Sequence, residues 1–298
     1  MSPFYSTRLI PQVTPQSAPW RLSEALLKGL LLELDLTPKP GLVDRRDSGS
    51  HQDLNYPLMR RSITQLADYF TACARALHTG GTIETLRDLG IQAERHMFAT
   101  LGTNTHRGAI FLGGVMMAAV HHAQSTDEQA VSDAIAAVAE QLFSHRLPRR
   151  TKGAQARQRY HAGGIIQETL TGLPSVFSVA VPALRQAQQL GLTQRDSHLL
   201  ALARLMQIVE DTTALRRCGP AGLAQLKRDG TILETLLLNQ VDPVLFLVAA
   251  NQHYQTQRLT MGGVADLLAI STSWLLFTPQ DMAPEPRLRP SVQPAALL

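Results

Sequence analysis

The chain has 298 residues, 44% hydrophobic and only 5% aromatic, with a formal charge of +4. That is enough apolar material for one large core, and the charge excess is too small for a nucleic-acid coat. Two cysteines far apart in sequence, Cys73 and Cys218, exclude a disulfide framework and point to a reducing cytoplasm.

Residues 1–20 carry four prolines and read as an extended arm without the apolar stretch of a signal peptide. A first helix is expected from an N-cap at Ser23 to the prolines Pro38 and Pro40, which forbid its continuation. Helices follow over 57–78 and 82–99, then a dry segment over about 106–123, whose fully apolar stretch, Ala109–Val120, is too short to span a bilayer. Ser125 and Glu128 have the spacing of a capping box at the head of the next helix. Further helices are expected over 174–190, 193–210, 231–251 and 261–276, and residues 277–298, with five prolines, as a tail. No run alternates with a period of two for long enough to require a strand. The expectation is one all-α, multi-helix domain over 21–276 with proline-rich ends.

Polar residues cluster at the helix breaks. "TPKPGLVDRRDSGSHQDLN" brings Lys39, Asp44, His51 and Asp53 within fifteen residues. A solvated loop is one reading; oxygen ligands for Mg²⁺ or catalytic bases are the other. "GTNTHRGAIF" places Asn104, Thr105, His106 and Arg107 ahead of the dry helix, where Asn104 or Thr105 could act as a simple cap. The same helix N-terminus, with its free N–H groups and Arg107, would also suit a phosphate-bearing ligand. In "EDTTALRRCG", Glu210 and Asp211 could bind a metal or pair with Arg216 and Arg217. In "TMGGVADLLA", Gly262 and Gly263 precede Asp266, an acid carried into an apolar stretch that requires compensation if buried. Residues 146–161 hold six Lys/Arg and no acid, and read as a basic loop. Neither a Walker loop nor a dinucleotide fingerprint occurs.

Taken in order, "LTPKPGLVDRRDSGSHQD", "GTNTHRGAIF", "GGIIQETLTGLP", "EDTTALRRCG" and "GGVADLLA" resemble the triphosphoribosyl-dephospho-CoA synthase family of the citrate lyase and malonate decarboxylase systems, closest to the malonate decarboxylase type. The chain departs from the family pattern at Glu210 and Thr213, where Asp and Asn are usual. It departs again at Ile165, Ile166 and Gln167, where an arginine is common.

The resemblance implies an all-α transferase that joins ATP and 3′-dephospho-CoA, releases adenine and uses Mg²⁺. The product would pass to a separate carrier-protein transferase; no nucleic acid or membrane partner is implied, and a homodimer is compatible. Asp44, His51, His106, Glu168 and Asp211 are then expected to be catalytic. Lys39, Asn104, Thr105, Arg107, Thr212, Arg216, Arg217, Gly262 and Gly263 would bind nucleotide, and Asp53, Glu210, Asp211 and Asp266 metal. A helical nucleotide-binding regulator without turnover is the competing class, and an RNA-binding protein resting on 146–161 a third.

Overall fold

The computed structural model describes residues 17–144 and 152–278, and among these it contains α-helices, one π-helical turn and no strand. The helices are α1 (Ala18–Asp35), α2 (Tyr56–His78), α3 (Ile83–Leu101), α4 (Arg107–Ala123), α5 (Glu128–Phe143) and α6 (Lys152–Tyr160). There follow α7 (Gly164–Leu170), a π-helical turn Ser175–Ala180 that runs into α8 (Val181–Gln189), and α9 (Gln194–Ile208). The last three are α10 (Thr212–Leu238), α11 (Val244–Gln257) and α12 (Gly262–Phe277). The all-α expectation holds.

Several boundaries differ from expectation. Helix α1 starts at Ala18 after Ser17, whereas Ser23 lies inside it with its hydroxyl donated to the Trp20 carbonyl at 2.7 Å. Residues 18–20 are therefore helical; 1–16 and 279–298 lie outside the described residues. Asp127, not Ser125, caps α5 by accepting the Ala130 N–H at 2.9 Å. The expected 231–251 helix is two helices, α10 and α11, separated at 239–243. Helix α10 begins 19 residues earlier than expected and passes Pro220 by a kink at Gly219, φ 65°. Part of the expected basic loop, Lys152–Tyr160, is helix α6, and 146–151 lie outside the described residues.

Two helices are buried nearly all round. In α4 every residue from Leu112 to Val120 is buried, and in α12 so is every residue from Leu267 to Trp274. Helices of that kind occupy a core instead of fringing it. Helix α12 lies along α1, its most extensive partner, and touches α4, α8 and α9; α9 in turn lies along α10. The glycines that punctuate the dry run have a packing role: Gly113 and Gly114 form a slot in α4 for Phe70 and Tyr69 of α2, and the Tyr69 hydroxyl donates to the Ile110 carbonyl at 3.0 Å.

The α1–α12 contact is closest at Gly29, where a β-carbon would lie 2.6 Å from the Ala269 carbonyl oxygen. Gly29→Ala removes a helix penalty of about 1 kcal/mol but forces two helix backbones apart, an overpacking cost of roughly 1–3 kcal/mol. A net loss of stability in urea unfolding is expected; a variant as stable as the parent would contradict this packing.

Candidate active site

The five motif segments converge at the N-terminal ends of α4, α10 and α12. Helix α12 has no cap of its own, because Met261 occupies the N-cap position without a side-chain hydrogen bond. The missing acceptor comes from Asp211, which caps two helices. Its Oδ1 accepts the N–H groups of Thr213 and Ala214 in α10 at 2.7 and 3.0 Å, and its Oδ2 accepts the Val264 N–H of α12 at 3.0 Å. Asp211 is 1% exposed. Burial raises its pKa and these backbone donors pull it back, with a net rise.

One turn into α12, Asp266 has no hydrogen-bond or ion-pair partner among the described residues. It lies against Gly108 in the first turn of α4, so closely that a β-carbon there would overlap its carboxylate. Any residue larger than glycine at 108 would displace Asp266, which explains a glycine in the first turn of a buried helix. Burial, then the negative fields of Glu33 and Asp211, push the Asp266 pKa well above the usual carboxylate value.

Glu33, on the buried face of α1, pairs with Lys39, whose ammonium also donates to the Glu33 carbonyl. Lys39 is 1% exposed, so the residue expected to touch triphosphate is instead committed to an internal ion pair. Asp44, expected to be catalytic, organises its own loop: it accepts the N–H groups of Lys39, Arg46 and Asp47 at 2.8, 2.7 and 3.2 Å. Glu168 likewise closes a local turn, accepting the Ser175 hydroxyl at 2.6 Å and its N–H at 3.2 Å.

Neither Asn104 nor Thr105 caps α4. Asn104 donates to Glu94 at 3.2 Å, and Glu94 also holds Arg107 at 3.3 Å. Thr105 turns inward to Ser62 of α2, and the Ser62 Oγ stands 2.6 Å from His106 Nδ1. Burial, and then the field of Lys39, lower the His106 pKa to about 4. His51 is also lowered to about 4, by burial and then by Arg217. Its Nε2 lies 3.1 Å from the Thr260 hydroxyl, while Arg217 donates to the Ser50 carbonyl at 2.8 Å. Both imidazoles are neutral at pH 7.

Glu210 and Asp211 do not pair with Arg216 or Arg217. Glu210 accepts the Gly163 N–H at 2.9 Å, and Thr212 packs on Gly164, which ties the α6–α7 connection to the head of α10. Gly262 and Gly263 abut Thr213 and Asp211. Asp53 sits apart, 69% exposed and 4.0 Å from His51. Among the described residues, no three His, Cys, Asp or Glu side chains gather as a ready metal shell. A cavity of about 190 Å³ lies against the Pro38–Asp47 loop, lined also by Asn251, Gln252 and Gln255. A larger one of about 580 Å³, at the C-terminal end of α4, carries none of the motif residues. No helix among the described residues is long and apolar enough to cross a membrane.

The family model for ATP:dephospho-CoA triphosphoribosyl transferase matches residues 19–280. The chain belongs to this transferase family. It is 32% identical to a probable 2-(5''-triphosphoribosyl)-3'-dephosphocoenzyme-A synthase of Pseudomonas putida, over 87% of this chain and 95% of that one. It is 33% identical to the probable synthase of Stutzerimonas stutzeri, over 93% and 98%. With the synthase of Klebsiella pneumoniae the identity is 34%, over 80% and 88%. No solved structure gives a significant match.

Three residues beside the candidate site escape a motif-based reading: Glu33, Ser62 and Thr260. The first two had a signal, because Glu33 lies at helical spacing from Leu26 and Leu30, and Ser62 from Leu66 and Tyr69. A polar residue on an apolar stripe requires a partner.

Two stability outcomes follow. Lys39→Ala leaves Glu33 buried and unpaired, a loss of roughly 3–5 kcal/mol, and adding Glu33→Gln recovers part of it in chemical denaturation. For Asp266 the folded pKa lies above the unfolded one. Between the two values only the native state keeps the proton, and stability falls as pH rises. Asp266→Asn is therefore expected to raise the melting temperature more at pH 8 than at pH 5. Equal shifts at both pH values would contradict the electrostatic placement of Asp266.

Proposed function

We propose that the chain transfers the triphosphoribosyl group of ATP to 3′-dephospho-CoA. In this reaction the acceptor's ribose 2′-oxygen forms a bond to C1′ of ATP, the C1′–N9 bond breaks, and adenine departs while the triphosphate stays on the transferred ribose. Family membership supplies the reaction class, and the names of the relatives the product. The observation that carries the reading to this site is the unpartnered Asp266 carboxylate in a region of negative field, with exposed Arg216 in the first turns of the adjoining α10.

Charge is sorted across the site. Asp266 lies in the field of Glu33 and Asp211, and His51 in that of Arg217 and Arg216. A reaction at an anomeric carbon develops positive charge on the ribose, which the acidic side stabilises, while arginines hold the triphosphate. Asp266 is the base in this reading, acting in its ionised form: its raised pKa makes that carboxylate a better acceptor for the 2′-hydroxyl proton than an ordinary one. Asp211 holds α10 and α12 in register and takes no part in proton transfer.

The resemblance also implies Mg²⁺ with ATP. Glu210 is the acid that fits, exposed and with its second oxygen free of protein donors among the described residues. Asp211 does not fit, since both of its oxygens accept backbone N–H groups. Bound there with triphosphate oxygens, the metal would neutralise phosphate charge. We assign the product to the carrier subunit of malonate decarboxylase, reached through a separate transferase, on overall resemblance; the genes beside this one decide between that and citrate lyase.

Incubation with ATP and 3′-dephospho-CoA is expected to release adenine, followed by chromatography, in an amount equal to the new riboside formed. EDTA should stop the release. Asp266→Asn should fold and lower the rate by at least roughly 10²-fold. An undiminished Asp266→Asn enzyme would remove Asp266 as the base, and absence of adenine release by the parent would remove the reaction.

A further inference from the structure

His106 is 4% exposed, yet only one side of its ring is occupied by polar protein atoms. Its Nδ1 faces two hydroxyls, Ser62 Oγ at 2.6 Å and Thr105 Oγ1 at 3.1 Å. These hydroxyls bond each other, and beyond them the nearest acceptor is the Met97 sulfur, 3.4 Å from both. Nε2 has no partner among the described residues and is not among the polar atoms sealed from solvent without one.

Counting protons selects the tautomer. A hydroxyl has one proton to donate, and a thioether is a weak acceptor. With the ring proton on Nε2, both hydroxyl protons reach good acceptors: Thr105 donates to Ser62, and Ser62 donates to the bare Nδ1. With the proton on Nδ1, the ring donates to Ser62, and the chain of hydroxyls must end on the Met97 sulfur. The first arrangement leaves no strong acceptor unused and aims an N–H out of the protein wall.

We propose that His106 meets the substrate as a neutral hydrogen-bond donor through Nε2–H, not as a base, and that the Ser62 hydroxyl, with that of Thr105 behind it, is the positioning pair that fixes this tautomer. The position of His106 at the N-cap of α4, where helix N–H groups carry partial positive charge, disfavours the imidazolium and strengthens a donor role. The Lys39 ammonium acts in the same direction. Resting on the transfer reaction above, the acceptor is a ring nitrogen of the departing purine, whose growing electron density the N–H stabilises as C1′–N9 opens.

The test has one arm that needs no turnover. In the full-length protein labelled with ¹⁵N, two-bond imidazole correlation spectra at pH 7, assigned with His106→Gln, are expected to show His106 with bare Nδ1 and protonated Nε2. Ser62→Ala combined with Thr105→Val, which removes both hydroxyls that face Nδ1, is expected to populate the other tautomer, and Ser62→Thr alone, which keeps both, to retain the first. In the second arm, glutamine can donate through its side-chain N–H but cannot act as a base. His106→Gln is expected to release adenine within about 10-fold of the parent rate, and His106→Ala to lose roughly 10²-fold, with KM changing less than kcat. A parent ring protonated at Nδ1, or doubly protonated, overturns the proposal, as does a glutamine variant no faster than alanine. If the parent releases no adenine, the reaction falls alone, and the tautomer stands or falls by the spectra.

Discussion

The arrangement depends on a buried carboxylate that serves two helices. Asp211 closes the first turn of α10 with one oxygen and supplies with the other the acceptor that α12 lacks. A lone buried carboxylate loses several kcal/mol of hydration. Three backbone N–H groups and two converging positive helix ends compensate it. Because α12 is an all-round buried helix laid along α1, fixing its first turn also fixes where Asp266 stands relative to α4 and where Glu33 of α1 faces it.

The polar interior then divides by what each group already holds. Asp44, Glu168, Asp211 and the Glu33–Lys39 pair have their hydrogen-bonding capacity directed at the protein; they set loops, caps and helix spacing. Asp266, the Nε2 of His106 and the Arg216 guanidinium have no such partner among the described residues. His51, His106 and Asp266 are moved toward their neutral forms by burial and by like charge close by: His51 and His106 beside cations, Asp266 beside anions. A site of neutral imidazoles and a carboxyl group whose pKa is raised suits nucleophilic displacement from a sugar better than phosphoryl transfer, where cationic groups around the phosphorus dominate.

Much of this was legible in the sequence, and the reasons are local. Helical periodicity in 57–78, 82–99 and 106–123 and the proline stop after Leu36 gave α2, α3, α4 and the end of α1. The residue types at each helix break marked the segments of the candidate site. What failed were inferences from one segment at a time. Asp211 was expected to meet a metal or a neighbouring arginine, but its partner, the Val264 N–H, lies 53 residues away. Thr105 looks like a cap, and only the approach of Ser62 from α2 shows that it turns inward. Lys39 reads as a surface phosphate ligand because nothing within its own loop reveals that Glu33, one turn before the prolines, closes over it.

The double cap can be read directly by amide hydrogen exchange on Asp211→Ala beside the parent. Protection is expected to drop together at Thr213, Ala214 and Val264, in the first turns of two helices distant in sequence, while the middle of α9 keeps its rates. Loss confined to α10, with Val264 unchanged, would mean that α12 is anchored by something other than Asp211, and the placement of Asp266 would have to be argued anew.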